Sequence, residues 1–129
     1  MLKYRPGSIL AILLFMIAFA LVSCNSDNNK NNVTNVTLQV DSATFTGTCP
    51  HEFVFSGLIE TNVAGTINFV WERSTGNSGT QSVTLPVGGG VVVQDHVTVT
   101  MSGSVTNKLH VTSPNDKVSS EVTATATCQ

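Results

Sequence analysis

Gly65-Thr66-Ile67-Asn68-Phe69-Val70-Trp71-Glu72-Arg73-Ser74 decides the fold. Ile67, Phe69 and Trp71 fall at every second position with Asn68 and Glu72 between them, so an extended backbone has one apolar face and one wet face, interrupted only by Val70. That is a half-buried strand. It carries the chain's one tryptophan, whose large apolar area suits it to anchor a core and whose indole N–H requires an acceptor nearby. The other strands are expected to pack around Trp71.

On either side of this stretch, from Val33 onward, Val and Thr dominate, turn-forming residues recur at intervals and no helical period is present. The pattern predicts strands near Asn35–Val40, Ala43–Thr46, Glu52–Glu60, Thr66–Arg73, Gln81–Leu85, Val91–Met101, Asn107–Thr112 and Val118–Cys128. Between them lie turn sequences at Thr61–Gly65, Gly76-Asn77-Ser78-Gly79, Pro86–Gly90, Ser102-Gly103-Ser104 and Ser113-Pro114-Asn115-Asp116. Alternation assigns Phe53, Phe55, Gly57 and Ile59 to the core, then Val97, Val99 and Met101, then Leu109 and Val111, then Val118, Val122, Ala124 and Ala126. Thr123, Thr125 and Thr127 are expected on an open sheet face. Seven or eight short strands in one small all-β domain fit an immunoglobulin-like two-sheet Greek-key sandwich, with a small closed barrel as the alternative.

The first residues have a different purpose. Lys3 and Arg5 form a basic start, and Ile9 to Val22 is an apolar run, shorter than the about 20 residues of a spanning helix. It ends in Leu21-Val22-Ser23-Cys24, which resembles the lipobox of bacterial lipoproteins. The resemblance implies a signal peptide cleaved after residue 23 and a diacylglyceryl group on Cys24, with further acylation such as palmitate, holding the protein on a membrane. Each buried lipid methylene contributes about 0.8 kcal/mol, so such an anchor is effectively permanent. Asn25 stands where an Asp retains some Gram-negative lipoproteins at the inner membrane, so outer-membrane delivery is permitted. The expected location is the cell envelope, anchored to the outer or cytoplasmic membrane and facing the periplasm or the exterior.

Residues 24–32 then read as the lipidated cysteine and a flexible Asn-rich linker, and 33–129 as the sandwich domain. Without the signal the chain has four basic against eight acidic residues, a net charge of −4, and no basic footprint for nucleic acid. Cys49 and Cys128 remain as an even pair in an exported chain, and the simplest reading is a disulfide. A redox pair lacks its Cys-x-x-Cys spacing. In the chain-entropy model a bridge closing so long a loop contributes about 4.5 kcal/mol, offsetting the small core.

Cys49-Pro50, Phe55-x-Gly57-x-Ile59, Gly65-x-Ile67-x-Phe69-x-Trp71-x-Arg73-Ser74, Ser113-Pro114-Asn115 and Cys128 together resemble a group of bacterial immunoglobulin-like domains found in exported proteins and lipoproteins. The likeness covers Ala43 to Gln129. It implies the sandwich and the terminal disulfide, and no catalytic activity. The chain departs from it at Gly88-Gly89-Gly90 and at Leu109, where similar domains carry aromatic residues.

A search for chemistry returns little. His51, His96 and His110 sit on different strands without metal-ligand spacing, so no metal or other cofactor is expected, and His110 is expected to face solvent. Gly-x-Ser-x-Gly is absent, Gly88-Gly89-Gly90 lacks the Lys of a phosphate loop, and Glu52, Glu60, Glu72 and Glu121 read as solvated. Arg73 could meet an anion, but its stem is better used covering the edge of the core. The chain is therefore expected not to be an enzyme. Two roles fit: a lipid-anchored module for adhesion to, or recognition of, a protein or glycan, or an accessory envelope lipoprotein, an assembly factor or inhibitor, that binds a resident envelope protein. No ligand-binding residue is identifiable from sequence.

Overall fold

A computed structural model describes residues 32–129; the signal peptide, Cys24 and the linker up to residue 31 lie outside the described residues. Nine strands are found among the described residues: β1 (Val33–Val40), β2 (Thr44–Gly47), β3 (His51–Thr61), β4 (Gly65–Arg73), β5 (Gln81–Leu85), β6 (Gly89–Val99), β7 (Gly103–Ser113), β8 (Lys117–Val118) and β9 (Val122–Cys128). They form two sheets, one in the order β1-β3-β6 and one in the order β2-β9-β7-β4-β5, with β8 added to β7. All pairings are antiparallel except β2 with β9. The chain crosses between sheets after β1, β2, β3, β5 and β6. This is the immunoglobulin-like sandwich; the two sheets stay separate, so the barrel is excluded.

The core follows the alternation. Phe53, Phe55, Ile59, Ile67, Phe69, Trp71, Val97, Val99, Leu109, Val111, Ala124 and Ala126 are all buried, and Trp71 is fully enclosed. Gly57 sits on the same inward face of β3, where a Cβ would lie 2.3 Å from Leu109 Cδ2 and 3.4 Å from the Trp71 ring. Its missing side chain is the space those two residues of the opposite sheet occupy. Leu109 is itself fully buried and has little room to turn away. Gly57→Ala is therefore expected to destabilise by about 1–3 kcal/mol in denaturant unfolding. In a Leu109→Ala background the same change should cost little, and an equal cost in both backgrounds would show that the contact is not the cause.

Some expectations need correction. Met101 is 73 % exposed because β6 ends at Val99 and Met101 lies in the turn that follows. Val118 is 48 % exposed and the expected last strand is broken. The break is made by Ser119: its Oγ accepts a hydrogen bond from the Leu109 N–H at 2.9 Å while its own N–H donates to the Leu109 carbonyl at 2.9 Å. A side chain thus replaces a carbonyl in the ladder and ends the regular pairing. β7 begins at Gly103 rather than Asn107, since Gly103 to Thr106 already pair with β9. β6 reaches back to Gly89, so the second and third residues of the triple glycine belong to a strand rather than a turn.

Candidate functional site

The register fixes which loops share an end. Val33 pairs with Thr61, Thr61 with Gly89 and Gly65 with Leu85, so the start of the domain, the β3–β4 turn and the β5–β6 turn gather at one end, the near end. The β2–β3 corner, the β4–β5 loop and the β6–β7 turn lie at the other, the far end. The turns at Gly76–Gly79 and Pro86–Gly90 are consequently separated by the length of β5 and do not form one surface.

Cys49 and Cys128 are bonded at the far end, with their Cα atoms 5.4 Å apart. Beside Cys49, His51 stacks on Phe45 at a centroid distance of 3.6 Å and meets Phe53 edge-on at 4.7 Å. In the far-end β4–β5 loop, Ser78 Oγ accepts from the Trp71 N–H, and the Ser78 N–H donates to the Trp71 carbonyl, both at 2.9 Å. The loop is therefore tied to the core residue beneath it. The indole N–H of Trp71 itself has no hydrogen-bond partner, contrary to expectation.

Two charged clusters were hidden in the sequence. In the first, Arg73 on β4 holds Asp95 on β6 through Nε at 2.7 Å and Nη2 at 2.5 Å, while Asn107 Nδ2 on β7 donates to the same carboxylate at 2.7 Å. Asp95 and Asn107 are buried. Arg73 does not merely cover the core's edge; its guanidinium bolts one sheet to the other. The bidentate fork and the third donor supply the hydrogen bonds that a buried carboxylate requires.

In the second cluster, on the outer face of β4 and β7, His110 Nδ1 lies 2.5 Å from Glu72 Oε1 and Nε2 lies 2.6 Å from Asp116 Oδ1. Lys108 Nζ is 3.4 Å from the other Glu72 oxygen. With a carboxylate oxygen at each ring nitrogen, the arrangement favours the doubly donating imidazolium form of His110. It does not simply face solvent, and Glu72 is not simply solvated. The hydrogen bond to Glu72, helped by Asp116 and opposed by burial, holds the His110 pKa above its ordinary 6.5. The hydrogen bond from His110, helped by Lys108, holds Glu72 below its ordinary 4.5.

A raised histidine pKa stabilises the fold fully below the unfolded value and loses that contribution as pH rises through the folded value; a lowered carboxylate pKa contributes above its unfolded value and is lost as pH falls through the folded one. The cluster is therefore fully in force between pH 4.5 and pH 6.5 and weakens on the alkaline side. Denaturant midpoints from about pH 6 to about pH 9 should fall more steeply for the wild type than for His110→Gln. Parallel profiles would contradict the assignment.

Among the described residues, no group of three or more His, Cys, Asp or Glu side chains is placed to hold a metal ion. A shallow open depression lies over Ser56 on the outer face of the three-stranded sheet, bordered by Thr37, Gln39, Leu58 and Val92. Exposed apolar side chains include Val87, Val92, Met101 and Val118.

No protein-family model matches the chain, and no curated protein matches it. Solved structures do. The crystal structure of the CARDB domain of the PF1109 protein from Pyrococcus furiosus, in complex with di-metal ions, is similar with a TM-score of 0.57 at 10 % identity, covering 74 % of this chain and 94 % of that one. The solution structure of the same domain gives a TM-score of 0.55 at 11 % identity, covering 73 % and 95 %. A β-glucosidase from Erythrobacter marinus is similar over 74 % of this chain but 15 % of its own, with a TM-score of 0.52 at 16 % identity. At these identities the likeness concerns the fold.

Proposed function

We propose that the chain is a membrane-anchored bacterial lipoprotein that uses a non-catalytic immunoglobulin-like domain to recognise another protein from its far end. The observation that carries the reading is the separation of the two ends: Val33, where the linker from Cys24 would join, lies at one end of the strands, and the β2–β3 corner, β4–β5 loop and β6–β7 turn lie at the other. A tether at the near end would hold the far end away from the lipid. The far end is also braced, by the disulfide and by Ser78 on Trp71, which lowers the entropy lost when a partner binds. Support for a protein rather than a glycan comes from the aromatics: Phe53, Phe55, Phe69 and Trp71 are buried, and Phe45 is half-buried under His51. A stacking platform for sugars is missing among the described residues.

The test uses the mature lipoprotein in mild detergent as bait against envelope extract, matrix proteins and glycans. The expected result is a saturable protein partner whose binding is weakened by Asn77→Ala and Met101→Ser at the far end and unchanged by Val87→Ser at the near end. Binding that is lost only with the near-end variant would refute the presentation of the far end. Recovery of a resident envelope protein would assign the accessory role; an external protein would assign adhesion.

A further inference from the structure

We propose that Asn115, with Asp116 and His110 behind it, is a proton-operated latch that grips the start of the domain and sets the point from which the chain leading into it can swing. β1 is an edge strand, with β3 on one side and no strand on the other. Successive residues of a strand turn their backbone groups to opposite sides, and the start of β1 is gripped on both. On the β3 side, the Asn32 N–H donates to Asn62 Oδ1 at 3.1 Å and the Asn62 N–H donates to the Asn32 carbonyl at 3.2 Å. On the open side, the Val33 N–H donates to Asn115 Oδ1 at 2.8 Å and Asn115 Nδ2 donates to the Val33 carbonyl at 3.1 Å. A side-chain amide carries an acceptor and a donor side by side, and here it stands in for the missing strand. Val33 is 1 % exposed, so its backbone groups have little water to turn to when Asn115 leaves.

The grip is only as firm as the loop that carries Asn115. Pro114 to Asp116 join β7 to the two-residue β8, whose Lys117 and Val118 are both exposed. Among the described residues, the side chains of this loop reach outside it at two places, Asn115 to Val33 and Asp116 to His110. His110 therefore holds the carrier of the latch against the sheet. Its surroundings decide which of its bonds fails first. Glu72 on β4 meets Nδ1 and is itself backed by Lys108 of β7, while Asp116, 77 % exposed, meets Nε2. Val70 of β4 and Val118 of β8, the residues paired with His110 in the register, carry no charge, and Lys117 is paired with Val111 instead. A neutral imidazole keeps one N–H, and its bare nitrogen repels a carboxylate. The remaining proton stays with the less exposed Glu72, and Asp116 is released. The latch is thus closed while His110 is charged and loosens on the alkaline side. That the chain before Asn32 leads to a lipid anchor rests on the reading above, and there the latch sets how far the domain swings from the membrane; the grip on Val33 does not depend on it.

Hydrogen exchange of the mature chain in mild detergent, read residue by residue and corrected for the intrinsic rate at each pH, tests it. From about pH 6 to about pH 9 the protection of the Val33 amide is expected to fall about two- to five-fold in the wild type. It should be the same at both pH values in His110→Gln and in Asp116→Asn. Asn115→Ala should lose about ten-fold at both, since it leaves the buried Val33 N–H without an acceptor. The Ile67, Phe69 and Trp71 amides of β4 are the control for global opening. Val33 protection that is independent of pH in the wild type, a fall that persists in His110→Gln, an intact Val33 amide in Asn115→Ala, or a loss at β4 equal to that at Val33 would overturn the proposal. Membrane fractionation of Cys24→Ala decides the lipid anchor separately, so the two readings fail on different measurements.

Discussion

Trp71→Ala is expected to remove about 3–5 kcal/mol of stability, a large share of the about 5–15 kcal/mol that a domain of this size holds. The indole is fully buried between the sheets, packs edge-on against Phe69 at a centroid distance of 6.3 Å and approaches the gap left by Gly57. No smaller side chain fills that volume, and the residues around it are already close-packed. Trp71→Phe makes the more searching comparison. Because the indole N–H has no partner, replacing it removes an unsatisfied donor along with some volume, so the loss should be about 1–2 kcal/mol. Urea midpoints at constant slope measure both. A Trp71→Phe variant as unstable as Trp71→Ala would mean that the polar atom, and not the packing, carries the anchor.

Arg73→Ala is expected to cost about 3 kcal/mol, toward the lower end of what breaking a buried ion pair costs, because the guanidinium still reaches water. Its side chain is 24 % exposed and that of Asp95 is 6 % exposed. The asymmetry sets the order of effects. Removing the arginine strands a carboxylate in the core with Asn107 as its remaining partner, whereas Asp95→Ala leaves a cation that can be solvated and one buried amide without its acceptor. Asp95→Ala should therefore be the milder change, and Arg73→Ala with Asp95→Ala together should be less unstable than Arg73→Ala alone. Strictly additive losses in this cycle would show that the two residues do not act as a pair.

Much of the sandwich was legible because a strand with one buried face writes its orientation at every second residue. Phe53 to Ile59 and Ile67 to Trp71 could be placed in the core on that basis, and Ala124 with Ala126 likewise. The same parity held a signal that hydrophobicity alone passes over. Asp95 stands in the inward series Val91, Val93, Asp95, Val97, Val99, and Asn107 in the series Val105, Asn107, Leu109, Val111. A polar residue at an inward position must find a partner. That Arg73 is the partner of Asp95 needed the packing of the two sheets.

The failures at Met101 and Val118 have another origin. Periodicity states which way a residue would point if the strand continued, but the strand ends where pairing ends, and pairing is a tertiary property. Ser119 ends β8 by bonding to Leu109, ten positions away. His110 is similar: its alternation placed it on the outer face correctly, yet its clamp comes from Glu72 on another strand and Asp116 in the next loop. The relation of the loops to Val33 needed the register, because only pairing shows that the β4–β5 and β5–β6 connections lie at opposite ends.

The central claim, that this sandwich is presented from a lipid anchor, stands or falls on Cys24. Cells producing the wild type or Cys24→Ala would be fed radiolabelled palmitate and then separated into membrane and soluble fractions. The account predicts label and membrane sedimentation for the wild type and neither for the variant, whose domain should remain folded with its disulfide. A Cys24→Ala protein that still sediments with membranes would contradict it.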